Sequence, residues 1–262
     1  MSRDVIRQTL TVITFLVTLA VNSAANALPI NGQRTAEISD RFAVFVIPAG
    51  YVFAIWGLIY VLLAGFTAYQ ARPSKREDPV LRSLGWLPAL SGVLNTAWLL
   101  LFQYEVFALT VPVMVGLLLT LITIHLRLWA RRDALHGAAY WLVRAPFSVY
   151  LGWITVATIA NFAQAGAALG FDAFGIAPQL VAAVVLLVGL AIAVRFVTRF
   201  RDAAYGSVIV WAYAGIVVKE IDTPLVAAVA GISAAIVAVL VVRALADRAP
   251  RARSGHTVRA GA

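Results

Sequence analysis

The chain has 262 residues and a mass of 28.1 kDa; 62% of the residues are hydrophobic and only 13% charged, where soluble domains run at roughly 45–50% and about 25%. That balance excludes a soluble enzyme or a disordered chain, and the lack of any cysteine excludes a disulfide framework, thiol chemistry and iron–sulfur ligation. The net charge of +9 comes without a basic stripe interleaved with aromatics, so nucleic acid is not an expected partner.

A helix crossing about 30 Å of hydrocarbon needs roughly 20 apolar residues. Runs of this kind lie at 8–28, 49–70, 83–103, 106–127, 139–163, 178–198, 203–218 and 224–245. The expected fold class is therefore all-α: a polytopic integral membrane helix bundle of about eight transmembrane helices. The first run, with Arg3 and Arg7 before it and Ala25-Asn-Ala27 after it, also resembles a secretory signal. The segment 28–41 carries Arg34, Glu37, Asp40 and Arg41, and reads either as a lid over a pocket or as a solvated connector.

Span two places Phe53, Trp56 and Tyr60 on one helix face. Span three does the same with Pro88, Ser91, Asn95, Trp98, Phe102 and Glu105, and span five with Pro146, Tyr150, Trp153, Ala157, Asn161 and Gln164. Arg144 stands near the start of span five, where its head group either snorkels to the interface or is buried for a purpose. Span seven is the shortest run. In span eight, opened by Thr223-Pro224, the spacing of Ala227, Gly231 and Ala235 gives a small-residue face suited to another helix or to a second copy, as in a homodimer.

Charge sets the orientation. With the N-terminus cytoplasmic, the inner side holds Arg3, Arg7, Arg72, Lys75, Arg76, Arg82, Arg127, Arg131, Arg132, Arg195, Arg199, Arg201, Arg243, Arg248, Arg251, Arg253 and Arg259. These are 17 of the 21 Lys and Arg residues, which favours cytoplasmic N- and C-termini and membrane lipid, anionic on that side, as a partner.

At about 1.5 Å per residue, the aromatic residues of spans two, three and five fall roughly 8–15 Å below the outer boundary, so the three faces can meet in the outer half of the bilayer. A slot lined by indoles with amides at its rim suits a flat hydrophobic small molecule: the rings stack on its plane, and Asn95 and Asn161 offer fixed donors and acceptors. The plainer reading is an aromatic belt with asparagines as interhelical glue. No H-E-x-x-H, G-x-S-x-G, P-loop or G-x-G-x-x-G occurs, so no catalytic residue is expected and a binding protein is favoured over an enzyme. His125 and His136 lack ligand-spaced partners, and no metal is expected.

The segment from Pro48 through Tyr51, Phe53 and Trp56 to Tyr60, then Asn95-Thr-Ala-Trp98 with Phe102, then Pro146 through Tyr150, Trp153 and Ala157 to Asn161, resembles the translocator protein family. It is also called the TspO or tryptophan-rich sensory protein family. The resemblance covers roughly residues 8–165 as five membrane helices. It implies a pocket for porphyrins, and in animal mitochondrial members for cholesterol and synthetic drugs; bacterial members are linked to tetrapyrrole-dependent regulation. Carried onto this chain, the pocket residues are Trp56, Asn95, Trp98, Trp153, Ala157 and Asn161, with Tyr60 one turn from Trp56. Two features depart from the family pattern. Phe42, Phe45 and Pro48 stand where the first loop commonly carries tryptophans, and 166–262 adds three spans, as in an enlarged branch of the family.

The expected organisation is a five-helix domain at 1–165, three additional transmembrane helices at 166–245 and a basic disordered tail at 246–262. The expected function is binding of a flat hydrophobic ligand, a porphyrin or haem-like tetrapyrrole or a sterol-like molecule, for sensing or transport in a bacterial inner membrane, with no cofactor required. The alternative is a secondary transporter or permease subunit for a small hydrophobic substrate. Against it stands the near absence of intramembrane acids and bases apart from Arg144.

Overall fold

The computed structural model describes residues 2–28, 30–42 and 44–247; the expected tail begins as the last residues of the final helix, and its part from 248 on lies outside the described residues. Among the described residues every regular element is helical. The first, α1 (Arg3–Ala27), is capped by Ser2, whose hydroxyl accepts from the Val5 N–H. Its buried face is polar, with Arg7, Gln8, Thr11, Thr18 and Asn22, while Ile13, Leu16 and Val17 are exposed. That inversion is what a lipid solvent selects: apolar side chains face outward and hydrogen-bonding ones are satisfied between helices.

The short α2 (Thr35–Asp40) lies in the first connection. A 3-10 turn (Gly50–Ala54) then leads into α3 (Ile55–Gln70). The third expected span is divided. Residues Pro79–Leu84 form a separate helix, α4, with Asp78 as N-cap, and α5 (Leu87–Gln103) starts only after Gly85 turns the chain at φ +58°. Only glycine takes that conformation without steric cost. α6 (Phe107–Ala130) follows; a π-helical turn (Tyr140–Arg144) then feeds α7 (Ala145–Ala168). The chain ends with α8 (Pro178–Phe200), α9 (Ala203–Lys219) and α10 (Pro224–Ala246). Proline stands in the first turn of α4, α5, α8 and α10, where its missing N–H costs nothing, and in α7 Pro146 follows closely on the π-helical turn.

Six helical stretches are long and apolar enough to cross a membrane: Arg3–Ala27, Gly50–Gln70, Phe107–Ala130, Tyr140–Ala168, Pro178–Phe200 and Pro224–Ala246. The shorter apolar helices α5 and α9 have 17 residues each, about 25 Å at 1.5 Å per residue, and lie between longer neighbours.

Five helices close a ring in the order α1, α3, α7, α6, α5. On the far side of α7 lies α9, which packs on α10, and α10 on α8. This makes α7 the central helix: 83% of its most apolar stretch is buried, against 22–39% for the other long helices. Its contact with α9 is close because Gly152 has no side chain; a methyl there would stand 2.9 Å from the Tyr205 carbonyl oxygen. One apolar core runs from Val46 to Ala244, through both the ring and the last three helices.

Candidate ligand site

The two ends of the bundle differ in chemistry. One end carries the basic connections, where Arg7 donates to the Leu81 and Arg76 carbonyls and Arg82 meets Asp4. At the other, the lid end, residues 30–42 fold over the helix ring. Ile38 of α2 is fully buried in a cluster with Phe102, Phe107 and Ala165, and Phe42 meets Phe107 edge to face at 5.2 Å. The segment is thus a packed lid.

The lid is latched by polar side chains at the end of α5. Gln103, fully buried, donates from Nε2 to the Ile30 and Gln33 carbonyls and accepts at Oε1 from the Thr35 hydroxyl. Asn31 donates to the Gln103 carbonyl, and Gln164 of α7 donates to the Ser39 hydroxyl at 2.8 Å. Glu105, at φ +59°, accepts from Gln33 and pairs with Arg41 at 2.8 Å. Hydrogen bonds from Arg41 and then Gln33 hold the Glu105 carboxyl below the usual carboxylate range. This latch therefore weakens only as pH falls through that lowered value, and is intact at neutral pH. Arg41 is committed to Glu105. Gln103 escaped the periodic reading because it lies one residue beyond Phe102, off the face that the helical spacing marks.

Beneath the lid the expected aromatic residues do converge. On the α3 and α7 side, Trp56 stacks on Tyr60 at 5.5 Å and meets Trp153 at 6.2 Å and Tyr150 at 6.0 Å; Phe53 meets Trp153 at 5.5 Å. On the α5 side, Trp98 stacks on Phe102 at 5.4 Å. Asn161 of α7 joins the two groups, its Oδ1 accepting from Trp98 Nε1 at 2.8 Å. Ala157 is partly buried against the core, one turn beyond Trp153. Asn95 is used between helices: it donates to the Tyr150 hydroxyl at 2.7 Å and accepts from Asn22 at 3.2 Å.

The aromatic residues pack on one another through these ring contacts. Below them, toward the basic end, a gap of about 30 Å³ borders Tyr60, Phe66, Ser91, Phe147 and Tyr150. It has room for little more than a water and is far below the roughly 300–1,000 Å³ of a small-molecule site. Three polar atoms within the cluster are buried without a hydrogen-bond partner: the Tyr60 hydroxyl, Trp153 Nε1 and Asn161 Nδ2. Buried groups of this kind are mostly satisfied, and each exception calls for an explanation, an ordered water or a ligand among them.

The last three helices also reach this end. The Ala49 N–H donates to the Gly215 carbonyl, Trp211 Nε1 donates to the Val52 carbonyl, and a side chain on Gly215 would collide with Val52. α9 thereby fixes the turn from which α3 and Trp56 start.

Lipid-facing apolar surfaces, polar side chains turned inward and an aromatic cluster under a latched loop define an all-α polytopic integral membrane protein. The family model described as TSPO-like protein matches residues 8–243, and the chain belongs to that family. The match extends from α1 into α10, well past the 8–165 segment that carries the resemblance. No curated protein and no solved structure gives a significant match.

Proposed function

We propose that the lid-end aromatic cluster binds a flat hydrophobic ligand, a tetrapyrrole or a sterol-like molecule, for sensing or transport. The observation that carries this reading is the set of three orphan polar atoms on Tyr60, Trp153 and Asn161, inside a cluster otherwise made of ring faces. A conjugated plane entering between the Trp56–Trp153 and Trp98–Phe102 groups stacks on the indoles, and its polar edge meets the three unpaired groups. In this reading admission parts the two aromatic groups and opens the Trp98–Asn161 hydrogen bond. We further propose that the membrane is a bacterial inner membrane and that the basic end faces the cytoplasm, the orientation favoured by the Lys and Arg residues of its connections.

Tyr60→Phe is the discriminating variant. It removes an unpaired hydroxyl and keeps the stack on Trp56, so thermal stability is expected to stay equal or to rise by up to about 1 kcal/mol. Affinity for protoporphyrin IX is expected to fall about 5- to 10-fold, the worth of one hydrogen bond. Unchanged affinity at unchanged stability would remove Tyr60 from the site. Transport is the second reading. It is favoured by a buried acid and an imidazole, Asp202 and His125, that join Arg144 in the structure.

A further inference from the structure

Toward the basic end of α7 a second group of buried polar side chains joins four helices. Asp202 caps α9, its Oδ1 accepting from the Tyr205 N–H at 3.2 Å. Its other oxygen, Oδ2, accepts from the Ser148 hydroxyl of α7 at 2.7 Å. That same oxygen lies 3.6 Å from Arg144 Nη2 in the π-helical turn and 3.9 Å from His125 Nδ1 of α6. Asp202, His125 and Ser148 are 1–2% exposed, and Arg144 is 8% exposed.

The His125 ring is held by Phe196 and Phe200 of α8 at 4.6 and 4.8 Å, and its Nε2 is buried without a hydrogen-bond partner. A phenylalanine would fill this apolar slot with no orphan nitrogen. What imidazole adds is the capacity to take up a proton. Asp202 Oδ2 meanwhile faces two nitrogen groups, each just beyond hydrogen-bond distance. It is an acceptor shared by the two, already held by Ser148.

We propose that His125, Asp202 and Arg144 form a proton-binding site. A proton arriving from solvent at the basic end adds to the imidazole lone pair; no other covalent bond forms or breaks, and the charge of the set rises by one. The imidazolium then closes on Asp202 Oδ2, and Arg144 yields that partner and keeps its place over the Trp129 ring, 5.3 Å away. The other charged and titratable groups around the site have contacts of their own. The Tyr205 hydroxyl donates to Thr155, Tyr140 lies under the Arg144 guanidinium, Arg132 covers Trp129, Arg199 covers Phe200, and Arg201 pairs with Asp247. Proton uptake thus adds a grip of α9 on α6, through His125, to the one that Ser148 keeps on α7. The site stands apart from the aromatic cluster and does not depend on the ligand reading.

The test is imidazole nitrogen NMR of the full chain, labelled at histidine, in lipid nanodiscs. His125→Gln assigns the signal among the three histidines of the sequence. His125 is expected to pass reversibly from the neutral to the cationic form as the pH is lowered from about 8 to about 3. Asp202→Asn is expected to move the midpoint to at least about tenfold higher proton concentration, and Arg144→Gln in the opposite direction. If Asp202→Asn does not fold, the Arg144→Gln shift carries the test alone. A His125 signal with one charge state throughout, or a midpoint that neither variant moves, overturns the proposal.

Discussion

Asp202→Ala is expected to lower the stability of the folded chain by about 3–5 kcal/mol, the usual cost of removing one member of a buried charged pair. Three losses add together. Arg144, at 8% exposure, keeps its charge without the carboxylate 3.6 Å away; the Ser148 hydroxyl loses its acceptor; and the first turn of α9 loses its cap. Only the last, about 1 kcal/mol, would be expected of an exposed cap. Denaturation of purified protein in nanodiscs, followed by tryptophan fluorescence, measures the sum. The double variant Arg144→Met, Asp202→Leu is expected to recover much of the loss, because no unpaired charge remains. A loss near 1 kcal/mol for Asp202→Ala would show that the carboxylate serves only as a cap.

Gly152→Leu is expected to cost about 3 kcal/mol or more and to separate the last three helices from the ring. A methyl alone at this position meets the Tyr205 carbonyl oxygen at 2.9 Å and Val208 Cβ at 3.0 Å. The first of these is backbone, which cannot rotate away as a side chain can. Overpacking in a dense core typically costs 1–3 kcal/mol, and a larger side chain here forces α7 and α9 apart along their whole contact. The same denaturation measurement, with limited proteolysis between α7 and α8, reports it. Gly57→Ala is the control: nothing lies within 4 Å of its added methyl, and little change is expected. Stability equal to the wild type in Gly152→Leu would mean that α9 does not pack on α7 as described.

Much of this architecture is written in the order of apolar runs, because lipid demands long apolar helices whatever their neighbours. The aromatic cluster is legible for a related reason: Trp98, Trp153 and Asn161 recur at helical spacing, and a face that polar and aromatic has to turn inward. The division at Gly85 is hidden, since hydropathy runs through it and only the backbone conformation breaks the helix. Asp202 is hidden more deeply. In sequence it follows Arg199 and Arg201 and looks like part of a solvated turn, while its partners lie 54 and 77 positions away. Arg144, open to two readings in the sequence, is buried beside Asp202. Ile38 and Gln103 gain their roles only when the lid docks, a tertiary event with no local periodicity.

Closure of the aromatic cluster around its own orphan polar atoms is the centre of the account. It is tested most directly by titrating protoporphyrin IX into the purified full chain in nanodiscs, following tryptophan quenching and the Soret band. The wild type is compared with a Trp98→Leu, Trp153→Leu double variant whose helical content has been verified. Saturable one-to-one binding, weakened at least about tenfold in the variant by the loss of two stacking faces, is the predicted result. Binding that is absent, unsaturable or equal in the two proteins would contradict it.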